Sequence, residues 1–419
     1  MLDIKRIREQ PDAVKAALSR RDPALAGAID AILERDRQWR AATSQAEELR
    51  AAQKARSEEI ARAKRAGEDA TAALADMKEL SARVKELGEQ ARVAQEELQQ
   101  ALAPLPNLPD PSAAPGPEDE MVREVGEIPQ LAFKARDHLE LAGAAIDMDR
   151  AAKLSGARFA YLKGDLVMLE LALVRWVLEK LRGHGFEPVI PPVLVRERAL
   201  FGTGFLPDTE QQIYHLPEDE LYLVGTSEVA LASLHDEEIL QAEQLPLRYA
   251  GLSPCFRREA GAAGKDTRGI FRVHQFDKVE MFSFVSPQES GAEHELILGI
   301  EEEILGELGL PYRVVNIAVN DLGNSAAKKY DCEVWLPSQE RYRELTSCST
   351  TTDYQARRLN IRVRREKHTE ALHTLNGTAV AVGRTLIALL ENGQREDGSV
   401  ALPECLGAYG APTVLPGAS

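Results

Sequence analysis

A long stretch without proline constrains this chain more than any other feature, because it permits helices much longer than those of an ordinary globular domain. No proline occurs between Pro23 and Pro104, and in the second half of this stretch apolar or small residues recur at alternating intervals of three and four. These residues are Ala70, Ala73, Met77, Leu80, Val84, Leu87, Ala91, Ala94, Leu98 and Ala101. Such spacing predicts one seam of a helix that packs against a second helix.

The stretch also contains the expected turn of a helical hairpin. Residues before Gly67 show a looser form of the same seam, which includes Ile32, Ala46 and Ile60. Glycine readily ends a helix and permits the chain to reverse. We therefore predict two antiparallel coiled-coil helices joined at Gly67, each roughly 50 Å long. A short helix around Pro11–Leu18 is expected before them, since proline is tolerated at the start of a helix.

Charge sets this N-terminal arm, residues 1–102, apart from the remainder. The arm contains 19 basic and 19 acidic residues, so the net charge of −16 falls entirely on the rest of the chain. Close to the predicted turn lies a basic cluster of Lys54, Arg56, Arg62, Lys64 and Arg65. A mixed-charge run is usually a solvated helix face, but bases near the tip of a projecting rod could also contact nucleic-acid phosphates. The cluster alone leaves both interpretations open.

Proline and strand patterns define the remaining organisation. Six prolines crowd the segment 103–123, which is therefore predicted to be a linker. Residues 124–410 combine a helix at Leu166–Leu181 with more numerous short apolar runs, among them Phe271–Phe276 and Val279–Phe284. Because turn-rich loops join several of these runs, we predict an α+β domain with a central antiparallel sheet flanked by helices. Residues 411–419 are expected to form a disordered tail.

Composition excludes several classes of protein. No apolar run reaches the length of about 18 residues that a membrane helix requires, and the N-terminus lacks the apolar core of a secretory signal. The four cysteines lie far apart, and the histidines show no metal-ligand spacing. We therefore expect a cytoplasmic protein without membrane association, disulfides or zinc. The sequence also lacks the glycine patterns of Rossmann and P-loop nucleotide sites.

Two segments of the second domain place an arginine where a phosphate could bind. Arg257 follows the strand-like run that ends at Phe256, and a guanidinium offers paired donors that match phosphate oxygens. Arg384 lies where a small-residue strand passes into a helix, a position at which a cation gains nothing from the helix dipole. Each segment taken alone is better explained as an ordinary surface hairpin or a core strand–helix unit.

Two further segments carry small polar and acidic residues. Thr226, Ser227 and Glu228 end a strand and could receive an ammonium group and a hydroxyl, or could simply cap a helix. Glu344 and Ser347 combine a carboxylate with a hydroxyl, a pair that can hold Mg²⁺ beside phosphates. Neither motif is specific by itself.

The order and spacing of all these segments resemble one family, the bacterial seryl-tRNA synthetases, which are class II aminoacyl-tRNA synthetases. The resemblance covers essentially the whole chain, from Met1-Leu2-Asp3-Ile4-Lys5 through the arm to the three class II motifs. Motif 1 is the helix ending at Leu181 and the strand to Pro191-Pro192, which implies a dimer interface. Motif 2 runs from Phe256 to Phe276, and motif 3 is the run Gly377–Arg384.

The resemblance implies an ATP-dependent serine–tRNA ligase and a role for each matching residue. Catalysis is implied for Arg257, Glu259 and Arg384. ATP binding is implied for Arg257, Arg258, Glu259, Val273, Phe276, Glu344, Leu345, Thr346, Ser347 and Arg384. Serine binding is implied for Thr226, Ser227, Glu228, Arg257, Glu280 and Thr378. Mg²⁺ binding is implied for Glu344 and Ser347, and tRNA binding for Lys54, Arg56, Arg62, Lys64 and Arg65.

The same resemblance implies the partners. They are L-serine, tRNA(Ser), tRNA(Sec) in a host that has one, and a second copy of the chain with the tRNA bound across the two subunits. Two alternatives stay open on the sequence: a related enzyme that charges a carrier protein or other acceptor, and a non-catalytic coiled-coil scaffold. The long arm disfavours the first alternative, and the intact motif residues disfavour the second.

Overall fold

The computed structural model describes residues 1–67, 69–207, 212–260, 266, 268–366 and 368–417. The chain divides into two compact units, Met1–Leu108 and Pro109–Ser419. The first unit is helical, and the second combines a large sheet with helices. The predicted α+β class with a coiled-coil arm is thereby confirmed.

The first unit is built on the predicted hairpin. Its helices are α1 (Ile4–Glu9), α2 (Pro11–Arg21), α3 (Ala28–Ala66) and α4 (Thr71–Leu102). Gly67 ends α3 in the left-handed conformation, with φ of 74°, and its N–H bonds back to carbonyls of the last helical turn. This is the geometry that favours glycine at a helix C-terminus.

Polar pairs cross the seam of the hairpin between its apolar layers. Arg56 donates to Asp76 on the opposite helix at 2.9 Å, and Gln53 donates to Ser81 at 2.9 Å. At the base of the hairpin, Asp36 is fully buried and pairs with Arg8 at 2.9 Å. That pair ties α1 to α3 because a buried carboxylate needs a charged or hydrogen-bonding partner.

The second unit is organised around an eight-stranded sheet. Its strands in chain order are β1 (Glu120–Val125), β2 (Ile146–Asp147), β3 (Tyr161–Leu162), β4 (Glu187–Val189), β5 (Leu194–Arg196), β6 (His215–Leu216), β7 (Leu221–Leu223), β8 (Ile239–Gln241), β9 (Leu247–Phe256), β10 (Gln275–Val285), β11 (Tyr312–Asn316), β12 (Lys328–Leu336), β13 (Arg341–Thr352), β14 (Arg362–Arg365), β15 (His368–Ala371), β16 (His373–Ala381), β17 (Val400–Ala401) and β18 (Val414–Leu415). The large sheet has the order β1-β11-β12-β13-β16-β10-β9-β4. Only its edge pair β4–β9 is parallel.

Helices cover the apolar face of this sheet. The helices of the unit are α5 (His138–Ala142), α6 (Met148–Ser155), α7 (Asp165–Gly183), α8 (Glu197–Thr203), α9 (Glu228–Ala232), α10 (Ser290–Glu307), α11 (Tyr354–Arg358) and α12 (Val382–Asn392). One continuous apolar cluster joins α7, α10 and α12 to the central strands. Among the described residues, no helix is both long and apolar enough to cross a membrane.

Two sequence-based expectations differ from the structure. The predicted strand Phe271–Phe276 begins only at Gln275, because the N–H groups of Ile270 and His274 bond to partners outside the sheet. The tail expected to be disordered is ordered over Ala411–Gly417, where β18 pairs with β17 and Leu415 is buried; the last two residues lie outside the described part.

The predicted linker 103–123 is shared between the two units. Leu105 and Leu108 are buried in the apolar cluster of the first unit. Residues from Glu120 onward pair with β11 as an edge strand of the second unit. Proline stops a helix without preventing burial of its neighbours, so a segment rich in proline can still belong to a core.

A buried acid lies beneath the centre of the large sheet. Glu301 on α10 is fully buried, and its Oε2 accepts a hydrogen bond from Thr346 on β13 at 2.9 Å. Burial raises the pKa of Glu301 well above its ordinary value, and the neighbouring Asp331 acts in the same direction. Glu301 is therefore a neutral carboxylic acid that joins α10 to the strand carrying Glu344 and Ser347.

The pH dependence of stability tests this assignment. Since the folded chain keeps a proton on Glu301 that the unfolded chain releases, the free energy of unfolding falls as pH rises above the unfolded pKa. The loss is about 1.4 kcal/mol per pH unit until the folded pKa is reached. We expect Glu301→Gln, which imitates the neutral acid, to remove this component at pH values above the unfolded pKa of a glutamate. Denaturant unfolding of the wild type and of Glu301→Gln at several pH values measures this component. If the free energies of unfolding of the two proteins changed in parallel with pH, Glu301 would not be neutral.

Candidate active site

One pocket collects side chains from the ends of the central strands. Its lining residues are Arg257, Glu259, Ile270, Phe271, Arg272, Val273, Phe276, Lys278, Glu344, Leu345, Thr346, Ser347, Thr378, Ala381, Gly383 and Arg384. Motifs 2 and 3 and the Glu344–Ser347 segment, which are far apart in the sequence, therefore meet at one place. Thr226, Ser227, Glu228, Arg258 and Glu280 do not line this pocket.

Arg257 is held where β9 ends. Its Nε donates to the carbonyl of Gly225 at 3.1 Å, and its guanidinium carbon lies 5.3 Å from the centroid of the Phe276 ring. The backbone N–H of Arg257 donates to His274 at 3.0 Å. These contacts fix the guanidinium over an aromatic ring while leaving other donors for an anionic ligand. Arg258, the next residue, has an exposed side chain and lies outside the pocket.

Arg384 approaches the pocket from motif 3. It is the third residue of α12, and its Nη1 donates to the carbonyl of Glu344 at 3.0 Å. Its guanidinium carbon lies 4.6 Å from the centroid of the Phe271 ring. The strand-to-helix passage inferred from the sequence is therefore present, and it brings a second guanidinium to the pocket.

Three cations in or beside the pocket were given no role in the sequence-based assignment. Arg272 donates to Glu259 at 2.7 Å, and Lys278 forms a close ion pair with Glu280. Arg343 lies 3.8 Å from the centroid of Phe271 and binds both oxygens of Asp266. Arg272 and Lys278 stand inside or directly after the motif 2 segment, so their position was a usable signal; Arg343 is brought in only by strand pairing.

A bulge in β13 gives Glu344 and Ser347 a common face. In the pairing with β12, Glu344 lies opposite Glu333 and Thr346 lies opposite Cys332, so Leu345 is an extra residue. Without it, two positions three apart on a strand would point to opposite faces. Leu345 and Thr346 are buried, whereas Glu344 and Ser347 are both partly exposed, and all four residues contribute to the pocket lining.

A second bulge brings Glu280 and Thr378 together. In the pairing of β10 with β16, Val279 lies opposite Val380 and Glu280 lies opposite Thr378, so Ala379 is the extra residue. The hydroxyl of Thr378 lies 3.5 Å from Oε2 of Glu280. The carboxylate and hydroxyl expected from the sequence to receive the amino acid are therefore neighbours on one side of the sheet.

The segment Thr226–Glu228 lies at the start of α9 beside this pair. Oε1 of Glu228 accepts a hydrogen bond from Gln355 at 2.8 Å, and Oγ1 of Thr226 accepts from the Glu228 N–H at 3.2 Å. Burial, reinforced by Glu280, raises the pKa of Glu228 to about 7. Ser227 contacts the sheet directly, since its hydroxyl donates to the carbonyl of Gly251, the residue paired with Glu280, at 3.3 Å.

Glu344 has the charge state that a hard cation needs. Burial alone would raise its pKa, but Arg384, Lys329 and Arg257 together hold the pKa of Glu344 below its ordinary value. An ionised carboxylate and a hydroxyl on one face are oxygen donors of the kind Mg²⁺ prefers. The donor set therefore fits the ion that the sequence implies.

The predicted tRNA-contacting bases lie on the first unit near Gly67. Arg56 is engaged within the arm by Glu59 and Asp76, each at 2.9 Å. The other four bases, Lys54, Arg62, Lys64 and Arg65, have exposed side chains, and none forms an ion pair with another described residue. Four of the five bases are therefore available to an external anion.

Comparison with known proteins agrees with both units. Residues 1–109 match the family model of the seryl-tRNA synthetase N-terminal domain, and residues 213–393 match the class II tRNA synthetase core domain for G, H, P, S and T. The serine–tRNA ligase of Acidothermus cellulolyticus is 49% identical over 99% of each chain. That of Streptomyces coelicolor is 48% identical over 98% of this chain and 97% of its own.

Solved structures show the same likeness. Seryl-tRNA synthetase from Pyrococcus horikoshii, complexed with ATP, superposes with a TM-score of 0.93 at 41% identity over 100% of both chains. The cytoplasmic serine–tRNA ligase of Naegleria fowleri, in complex with AMP, gives a TM-score of 0.87 at 31% identity, covering 100% of this chain and 99% of its own. With a matching fold, both family models and full-length relatives, the chain belongs to the seryl-tRNA synthetase family, the class II aminoacyl-tRNA synthetases that act as serine–tRNA ligases.

Proposed function

We propose that this chain activates L-serine with ATP, forming seryl-adenylate and diphosphate, and then transfers the seryl group to tRNA(Ser). The observation that carries the proposal is the convergence of Arg257 and Arg384 on one pocket with the Glu344–Ser347 pair. Two guanidinium groups beside a carboxylate–hydroxyl pair match a polyphosphate with a bound cation. Relatives named for this activity span the whole chain. The cytoplasm is the proposed compartment, as expected from the sequence.

Positioning and charge neutralisation account for the first step. The serine carboxylate attacks the α-phosphorus, and the bond to the leaving diphosphate breaks. A carboxylate is already a nucleophile, so no general base is needed. Arg257 neutralises charge that develops at the α-phosphate, and Arg384 holds the terminal phosphate. Glu259, Val273 and Phe276 are assigned to the adenosine. Glu344 and Ser347 would hold Mg²⁺, which supplies further charge neutralisation on the phosphates.

Selection of serine rests on buried polar groups. Thr226, Glu228 and Glu280 are assigned to the ammonium group and the hydroxyl, and Thr378 is assigned to close on the hydroxyl. A site built to pair a substrate hydroxyl disfavours an analogue that lacks it by about 10⁴–10⁵, because its own polar groups are left unpaired. Alanine would therefore be rejected without a separate editing step.

We expect serine binding to strengthen as pH rises. Because the pKa of Glu228 is about 7, binding of an ammonium group at lower pH must displace a proton. Affinity for serine is therefore expected to increase about tenfold between about pH 6 and 8, while affinity for ATP changes little. Glu228→Gln is expected to bind serine weakly and to lose this pH dependence. Titration calorimetry measures the affinities of the wild type and the variant for serine and for ATP at each pH. If serine binding by Glu228→Gln kept the wild-type pH dependence, Glu228 would not have this role.

The arm is proposed to bind tRNA. The second unit and the chain as a whole are acidic, so long-range attraction to a polyphosphate is absent there. The exposed bases near Gly67 instead offer phosphate contacts, which recognise A-form RNA by its backbone and shape. Through them the arm would grip the long variable arm of tRNA(Ser), and that of tRNA(Sec) where the host has one, across the dimer.

Comparison of the two half-reactions tests the arm. We expect replacement of Ile32–Leu98 by a short glycine bridge to leave serine-dependent ATP–diphosphate exchange nearly intact and to abolish charging of tRNA(Ser). A variant in which alanine replaces Lys54, Arg62, Lys64 and Arg65 is expected to charge tRNA(Ser) more slowly. Its charging should also depend less on salt, since each phosphate contact contributes about one unit to the slope of log affinity against log salt concentration. The control variant carries alanine at Arg37, Lys85 and Arg92, which lie farther from Gly67. If the deletion variant charged tRNA(Ser) at the wild-type rate, the arm would have only a structural role and this proposal would be wrong.

Exposed apolar residues support the proposed homodimer. Val167, Met168 and Leu171 follow one face of α7 and are 36%, 49% and 58% exposed, and Ile190 after β4 is 83% exposed. A helix and strand of motif 1 with so many exposed apolar side chains fit a self-complementary interface.

Charged substitutions on α7 test the dimer. We expect Met168→Glu with Leu171→Glu to convert the protein from a dimer to a monomer of 46.1 kDa at micromolar concentration, because two buried carboxylates would face their own copies across a two-fold axis. Sedimentation velocity measures the change. Leu234→Glu, a comparably exposed leucine away from motif 1, is the matched control. A wild-type monomer, or an unaltered dimer in the double variant, would refute this interface.

A further inference from the structure

A buried histidine holds the chain that returns from the motif 2 loop. The backbone N–H of Ile270 points at Nε2 of His138 at 3.2 Å, and Nδ1 of the same ring lies 3.3 Å from Oε1 of Glu391. His138 is 4% exposed and Glu391 is fully buried. Since Nε2 must accept from the N–H group, the ring's own proton lies on Nδ1 and is donated to Glu391. Both ring nitrogens are therefore used.

Glu391 links this contact to motif 3. It lies on α12 seven residues after Arg384, so the two side chains occupy the same helix face two turns apart. Arg384 rests on the Phe271 ring, and Glu391 reaches Ile270 through His138. Its other oxygen, Oε2, accepts from the N–H of Ser338 at 3.1 Å. The helix α12 therefore contacts two consecutive pocket-lining residues, Phe271 directly through Arg384 and Ile270 through Glu391 and His138.

Gly269 makes room for the ring. Its φ is +79°, and a Cβ added to it would lie 2.0 Å from Nε2 of His138. Any side chain here would expel the imidazole and leave the N–H of Ile270 without its acceptor. The glycine, the histidine and the glutamate form one arrangement in which each depends on the other two.

We propose that His138 is a positioning residue for ATP, acting through the Ile270 N–H to fix the pocket-lining segment Ile270–Val273. His138 is not among the residues that line the pocket, and it lies outside motifs 1, 2 and 3. Phe271, Arg272 and Val273 all line the pocket, so a shift of Ile270 moves three pocket-lining side chains, of which Val273 is assigned to the adenosine. This inference rests on the proposed function, because it assigns ATP to that pocket.

Two amide substitutions separate the two nitrogens of the ring. Glutamine can place an oxygen close to the position of Nε2 and so keep an acceptor for Ile270. Asparagine is shorter and can keep only a donor for Glu391. We expect His138→Asn to raise both the Kd and the KM for ATP about tenfold, because a buried N–H loses its partner, with the KM for serine unchanged. His138→Gln is expected to stay within about threefold of wild type. Gly269→Ala is expected to behave like His138→Asn.

A matched control and a serine-free measurement keep the outcomes distinct. His235 also bridges a glutamate and a second group, Glu238 at 2.8 Å and the Tyr249 hydroxyl at 2.9 Å, and neither partner lines the pocket; His235→Asn should leave the ATP parameters unchanged. The proposal would be overturned if both His138 variants lost kcat equally with no change in the KM for ATP. It would also be overturned if His138→Gln bound ATP more weakly than His138→Asn. ATP binding is measured without serine, so failure of serine-dependent exchange by the wild type would refute the proposed function and leave this inference standing.

Discussion

Two extra residues in the central strands determine which polar side chains lie together at the site. Leu345 interrupts the pairing of β13 with β12, and Ala379 interrupts the pairing of β16 with β10. Each bulge inverts the alternation of side chains for the residues beyond it. A regular sheet would send either Glu344 or Ser347 into the apolar layer against α10, and it would separate Thr378 from Glu280. The chemical identity of the site thus depends on backbone irregularity as much as on residue type.

The same sheet separates charge from apolar packing. On the pocket side, cationic and anionic groups lie close together, with Arg384 beside Glu344 at 3.4 Å and Lys278 beside Glu280. On the helix side, Glu301 stays neutral because no cation accompanies it among the described contacts and burial disfavours its charge. Groups fixed in this way need little reorganisation when a polyphosphate enters, and preorganised charge is the main means by which such a site stabilises a phosphoryl transition state.

The sequence predicted the arm better than the pocket, for a physical reason. A heptad seam and a terminal glycine are local signals, so the helices and the turn at Gly67 follow from residues close together in the chain. The strand–helix passage at Arg384 is local in the same sense. Bulges, by contrast, depend on the partner strand, so no residue pattern near Leu345 or Ala379 predicts them. Arg343 and His138 are brought to the motif 2 segment only by tertiary packing. The tail was mispredicted because a two-strand pairing at Val414–Leu415 has almost no local signature.

The arm and the catalytic unit meet opposite electrostatic demands, which explains their difference in composition. The second unit carries the whole net charge of −16, so a small polyanion would be held there by close contacts with Arg257 and Arg384 rather than by long-range attraction. The arm balances its charges overall and pairs most of its arginines internally, as Arg56 with Asp76 and Arg92 with Glu89. The bases near Gly67 that lack an ion-pair partner among the described residues are consequently few. If the arm binds RNA as proposed, affinity from few phosphate contacts would be moderate and salt-sensitive, which would suit a substrate that must leave after every cycle.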